Sequence, residues 1–401
     1  MGHKMTYRAL KSILPCILLT LCIGFCYSFS LFVNPISGCI GHTSEMVRFT
    51  FCLNIFFLGM GAATFGSLVE NHIRLASLLS SILLFIGLAL GGIACSIGSL
   101  WLMYLGVGCI CGISEGIGYI TPNKNMILWF PNTNFKGMLT AISIFTFGLG
   151  SALCAKLFGI LFPILGIEYT FYAFAVGYGT LMLLSSLLIN KPRYALLKLR
   201  KQTKSKFSYL DCMKDRFFQK CWLFMFLNIS MGLVLIGCCS SILDSLGFSN
   251  NVIITIMMLC GIFNGVGRLV FPTIGDFLKN RNRIWLYTAI FEVALMCPII
   301  FAYYSGTFAL VAGVCIVLIH AGYGSAFACL PSILSSHFGK DTLSQRHGFC
   351  LTSWGLASLM AFICSTFVLT MFNEYLPMMI LVTCGYVLNI IISYSILNNK
   401  S

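Results

Sequence analysis

The chain has 401 residues, of which 58% are hydrophobic and 9% charged, and its mean hydropathy is +0.93. Soluble globular chains carry roughly a quarter of their residues as charges, so an aqueous domain is excluded and lipid must solvate most of the chain. The 25 Lys and Arg outnumber 11 Asp and Glu, giving +14, but they lie in short clusters between apolar runs, a pattern that reports membrane topology and excludes a nucleic-acid stripe.

In chain order, the first apolar run, 12–34, follows Lys4, Arg8 and Lys11 as a signal peptide would. At about 23 residues it exceeds the 7 to 15 of a signal core, so it reads as a first membrane helix. Further runs follow at 47–69, 75–96, 99–121, 137–160, 170–190, 220–243, 251–274, 284–304, 308–331, 348–371 and 376–397. Each has about the 20 residues that cross a hydrocarbon core of about 30 Å. The prediction is an all-α membrane protein of twelve transmembrane helices, with both termini on the cytoplasmic side.

Basic residues test that count. With the N-terminus inside, 22 of the 25 Lys and Arg fall on inner segments, Arg48 falls outside, and Lys156 and Arg268 fall within spans. One missed or invented span would destroy this asymmetry. The polar stretch 191–219, with Lys191, Arg193, Lys198, Arg200, Lys201, Lys204 and Lys206, divides the chain into an N-terminal bundle (1–190), a cytoplasmic linker that meets anionic lipid headgroups, and a C-terminal bundle (220–401).

Nearly all of the 20 Cys sit inside apolar runs, where they read as small apolar side chains. Cys109 with Cys111 and Cys238 with Cys239 are too close along a helix to share a face, so no metal site is expected, and no cofactor. The two halves carry a faint repeat: Gly116, Tyr119 and Phe130 recur 208 residues later as Gly324, Phe327 and Phe338. Parallel repeats of this kind hold a solute between two bundles at mid-depth.

The first span carries Tyr27-Ser28-Phe29-Ser30-Leu31-Phe32 and Asn34-Pro35, and the fourth Gly116-Ile117-Gly118-Tyr119 followed by Trp129-Phe130-Pro131. Gly148-Leu149-Gly150 lies in the fifth, Phe263-Asn264-Gly265 and Gly267-Arg268 in the eighth with Asp276 beyond, and Tyr323, Gly324, Phe327, Pro331 and Phe338-Gly339 around the tenth. Together these resemble the oxalate:formate antiporter family of the major facilitator superfamily, close to the monocarboxylate transporters. The resemblance implies two pseudosymmetric six-helix bundles around a cavity lined by Tyr27, Tyr119, Phe147, Tyr323 and Phe327, with Arg268 anchoring an anion. The family's oxalate transporter has a second cationic anchor, a Lys, in its eleventh helix; Trp354 stands at the matching position here. One cation balances one carboxylate better than two, so the expected substrate is a small monocarboxylate.

The residues themselves leave alternatives. A guanidinium within a span must face a wet cavity or a paired anion, and Arg268 could bind substrate or pair with Asp276 or with carbonyls. Trp354 could simply pack, and Lys156, near the outer end of the fifth span, could snorkel. His320 shares a helix face with Tyr323 and Phe327, where it could carry a coupled proton or hydrogen-bond between helices. Glu115, on the face of Tyr119, and Glu292 are the acids within spans; Glu115 could carry a proton or pair with a cation. Asp276, with Lys279, Arg281 and Arg283, could close an inner gate by pairing with helix ends, whereas the related stretch from Gly66 to Arg74 reads as degenerate.

The expectation is a monomeric secondary transporter, exchanging a small carboxylate for a counter-anion or carrying it with a proton by alternating access. A carrier of uncharged or cationic solutes using Glu115, or a receptor that keeps the fold without flux, are the rivals. No triad, metal cluster or phosphate loop points to an enzyme. The sequence does not distinguish the plasma membrane from an organelle membrane.

Overall fold

The computed structural model describes residues 2–130, 136–192, 207–339 and 341–398. Residues 193–206 of the basic linker lie outside them, as does Pro131. Lipid offers no hydrogen bonds to the backbone, so an apolar run must satisfy its amides within itself, and the regular structure of the described residues is helical throughout.

The elements are α1 (Gly2–Ile23), a 3-10 turn (Gly24–Ser28), α2 (Ser30–Ile40), α3 (Ser44–Asn71), α4 (Ile73–Ile97), α5 (Leu100–Trp129), α6 (Lys136–Leu188), α7 (Tyr209–Lys214), α8 (Arg216–Ser245), α9 (Asn250–Phe277), α10 (Arg283–Ser305), α11 (Ala309–Phe338), α12 (Leu343–Phe372) and α13 (Leu376–Leu397). Among the described residues, by length and composition, ten helices can cross a membrane, or eleven if the bent pair Ser12–Ser28 and Leu31–Ile40 is one span. The apolar part of α6, Ile144–Leu188, has 45 residues. At about 1.5 Å per residue that is about twice what one crossing needs. It breaks at Gly166, whose φ of 74° puts the backbone in the left-handed region. Its two arms are read as the fifth and sixth crossings. Exposed side chains such as Ile97, Ile164, Leu310 and Met371 give the protein an apolar outer face, as a multi-pass membrane protein requires.

Several helices overrun their apolar cores. The fourth apolar run ends near residue 121, but α5 continues to Trp129 with Asn123, Lys124 and Asn125 buried. The first span bends by 61° at the 3-10 turn, where Gly24 presses on the α6 backbone: a Cβ there would lie 2.1 Å from the Phe147 carbonyl oxygen. Ser28 Oγ secures the turn by donating to the Ser151 carbonyl at 2.6 Å.

Close helix contacts reproduce the repeat read from the sequence. A Cβ on Gly116 would lie 2.2 Å from the Leu58 carbonyl oxygen, joining α5 to α3; one on Gly324 would lie 2.2 Å from the Asn264 carbonyl oxygen, joining α11 to α9. Glycine is needed at both because the backbones touch. The halves themselves meet along two seams. Gly59, Gly66, Gly348 and Gly355 let α3 approach α12, and Gly148 faces Gly265 between α6 and α9.

A methyl group at such a contact forces the backbones apart at a cost of about 1–3 kcal/mol. Gly324→Ala is expected to lower the thermal midpoint of the detergent-purified protein, whereas Gly159→Ala, where a Cβ meets nothing within 4 Å, leaves it unchanged. Thermal unfolding of both variants checks this.

Candidate functional site

The bend in the first span directs Tyr27 toward the middle of the molecule. There its ring meets Phe147 of α6 edge-on, with centroids 5.3 Å apart, and its hydroxyl lies 3.4 Å from that of Tyr323 on α11. Tyr119 of α5 packs edge-on against Phe147 at 5.7 Å and against Trp354 of α12 at 5.4 Å. Trp354 in turn contacts Phe327 at 4.3 Å. The six aromatic residues expected from the sequence therefore form one cluster, to which both halves of the chain contribute.

Arg268 of α9 occupies this cluster. Its guanidinium carbon lies 5.1 Å from the Phe147 ring centre and 5.3 Å from that of Phe327, so one ring from each half flanks the charge. The side chain is 0% exposed. Its Nε donates to Asn264 Oδ1 at 2.9 Å, one helical turn earlier. Nη1 and Nη2 have no hydrogen-bond partner among the described residues, nor has Arg268 an ion pair there. The pairing with Asp276 that the sequence left open is not formed.

Other unsatisfied groups belong to the same aromatic cluster. Tyr119 Oη neighbours the guanidinium without a hydrogen bond of normal geometry, and Trp354 Nε1 and His347 Nε2 also lack partners among the described residues. The His347 ring lies 6.0 Å from that of Tyr119. A buried donor left unpaired costs about 1–3 kcal/mol, and most native polar groups avoid that cost. Several such groups therefore lie together in this cluster. Sequence reasoning missed His347, which precedes the eleventh apolar run, and gave Asn264 no role.

Neither of the two residues singled out for proton movement hydrogen-bonds the guanidinium. Glu115 is buried, and its Oε1 accepts from Asn54 Nδ2 at 3.1 Å. The same amide group donates to the Val107 carbonyl, within the π-helical stretch Tyr104–Ile110 of α5. Its Oε2 makes no hydrogen bond by normal geometry, although the Cys26 thiol is adjacent. His320 is buried with Nδ1 2.7 Å from the Ile316 carbonyl oxygen, and its neighbours are Cys239 and Cys260. Glu292 accepts from Asn228 through both oxygens. Lys156 is exposed on α6.

At the end of the bundle where α1 and α13 bring the termini, the two halves exchange carboxylates. Asp276, at the end of α9, pairs with Arg281 at 3.1 Å and accepts the Met138 amide at 2.9 Å, at the start of α6. Glu70, at the end of α3, forms an ion pair with Lys124 and accepts the Ser344 amide at 3.0 Å, at the start of α12. Each acid meets the positive end of a helix from the other half. The stretch around Glu70, degenerate as a motif, thus makes the same contact as its better-formed counterpart. Lys124, counted as a loop charge, is a buried helical partner.

The profile of the Major Facilitator Superfamily matches residues 13–362. The chain is 26% identical over 347 residues to the MFS-type transporter YhjX of Escherichia coli (strain K12), covering 84% of this chain and 82% of that protein. It is 23% identical over 362 residues to the oxalate:formate antiporter of Oxalobacter formigenes, covering 90% and 83%. Its fold is similar to that of the proton:xylose symporter XylE, with a TM-score of 0.75 at 14% identity over 98% of this chain and 96% of that one. Long apolar helices packed along glycine-lined seams and a profile match over most of the sequence agree: the chain belongs to the major facilitator superfamily.

Proposed function

We propose that this protein is a secondary active transporter of small monocarboxylates, which bind at Arg268 between the two halves and cross by alternating access. The observation that carries the reading is the buried guanidinium whose Nη1 and Nη2 lack partners among the described residues, beside Tyr119 in a cluster where Trp354 Nε1 and His347 Nε2 also lack them. Two parallel hydrogen bonds from Nη1 and Nη2 match a carboxylate. The flanking Phe147 and Phe327 exclude water and restrict the guest to a small, flat acid. With Trp354 in place of a second cation, a dianion would leave one charge uncompensated in a dry site. The similarity to an oxalate:formate antiporter supports the anion class, and the tryptophan favours its singly charged member.

The Tyr27 and Tyr323 hydroxyls lie across the meeting of the halves, one from each, so bound solute would be felt by both. Asp276 with Arg281, and Glu70 with Lys124, act as the inner gate on the cytoplasmic side, where both termini lie. Glu115, with one oxygen free of a hydrogen bond, is the acid placed to carry a coupled proton; His320 faces cysteines instead.

Counterflow into vesicles loaded in turn with formate, acetate, lactate, pyruvate or oxalate tests the reading. At least one monocarboxylate is expected to exchange, with oxalate the poorest of the five. Arg268→Gln should abolish that exchange without loss of protein in the membrane. Arg268→Lys keeps the charge but loses the fork, and should reduce exchange by roughly ten- to a hundredfold. Undiminished exchange in Arg268→Gln, with loss in Glu115→Gln, would instead favour a carrier of cationic or uncharged solutes.

The gate has its own test. Asp276→Asn and Glu70→Gln remove a charge from a helix N-terminus, an interaction of about 0.3–1 kcal/mol, or up to about 2 when partly buried. Each variant should expose a cysteine introduced at Ser344 to membrane-impermeant thiol reagents added from the cytoplasmic side, several-fold faster than in the parent. Equal labelling rates contradict the gating role.

A further inference from the structure

The cysteines of this chain look like apolar filler in sequence, but three helices of the second half bring two of them to a histidine. Cys239 on α8, Cys260 on α9 and His320 on α11 are buried, and each offers a ligand atom lying within 4.8 Å of the others. Cys238, next along the chain, turns away and meets Met378 Sδ at 3.5 Å.

The histidine is already oriented. Its Nδ1 lies 2.7 Å from the Ile316 carbonyl oxygen, and a carbonyl can only accept, so Nδ1 carries the proton and Nε2 presents its lone pair. Ligating histidines are held by this kind of second hydrogen bond. Cys260 Sγ approaches the same carbonyl at 4.0 Å, and its thiol adjoins that of Cys239.

We infer that Cys239, Cys260 and His320 form a binding site for a thiophilic divalent cation of the zinc class. Two sulfurs and an imidazole select soft ions over magnesium, calcium or manganese. Two thiolates and a neutral imidazole carry a charge of −2, which a divalent ion cancels, whereas a monovalent ion would leave net charge in a low-dielectric interior. Binding is an exchange: the ion enters, two thiol protons leave, and nothing is oxidised or reduced. Tetrahedral ligand atoms stand roughly 3.5–3.8 Å apart around zinc, so side-chain rotation closes the group. Three protein ligands leave a fourth position for water. All three come from one half, so the ion braces that half without tying it to the other.

The probe is Zn²⁺ added to the full-length protein in detergent, freed of excess ion by gel filtration and counted by mass spectrometry. The wild-type protein is expected to retain about one equivalent more than Cys239→Ser/Cys260→Ser and more than His320→Gln. As a readout that needs no substitution, Zn²⁺ should slow alkylation of Cys239 and Cys260 by N-ethylmaleimide, mapped by peptide mass, while leaving Cys297 and Cys384, exposed in the structure, unprotected. Equal retention in all three proteins, or alkylation of Cys239 and Cys260 unaffected by Zn²⁺, overturns the site.

Discussion

A guanidinium buried in a membrane protein governs how the rest of the molecule is arranged. Burying Arg268 costs several kcal/mol unless acceptors or aromatic faces compensate. The observed compensation is partial: Asn264 takes one N–H, and Phe147 and Phe327 offer their faces. The remaining donors, on Nη1 and Nη2, have no partner among the described residues. Because one flanking ring comes from each half of the chain, the charge lies where a change in the meeting of the halves is felt. A bound anion would lower the cost of burial, and so would favour the closed arrangement by its differential affinity for it.

Two kinds of contact between the halves divide the work. Glycine-lined seams, such as Gly59 and Gly355 between α3 and α12, allow the backbones to touch. Carboxylates at helix ends, Asp276 of α9 against the start of α6 and Glu70 of α3 against the start of α12, add polar latches at the end that holds the termini. Closely approaching glycine-lined backbones and helix-end interactions of about 0.3–2 kcal/mol each suit a molecule whose halves move against one another.

Much of this was legible in the sequence, for physical reasons. Lipid forces apolar runs into helices, so the runs fall on helices, of which ten, or eleven with the bent first pair, can cross a membrane among the described residues, and the Gly116 and Gly324 repeat reappears as matched backbone contacts. The helix ends were not readable from hydropathy, because α5 extends past its apolar core on the buried polar residues Asn123, Lys124 and Asn125. Glu70 was underrated because its role depends on a helix end 274 residues away, not on its local motif. His320 shares a helix face with Tyr323, but periodicity cannot say that Cys239 and Cys260, from two other helices, fill the space beside it. The aromatic cluster came from a family resemblance; periodicity alone would have called each ring packing.

The central claim is that Arg268 itself receives the carboxylate, and calorimetric titration of the purified protein with acetate, formate and oxalate measures this without requiring transport. The account predicts one saturable site for a monocarboxylate in the wild-type protein and none in Arg268→Gln, with both proteins equally folded. Binding of the same acid with unchanged affinity to Arg268→Gln would contradict it.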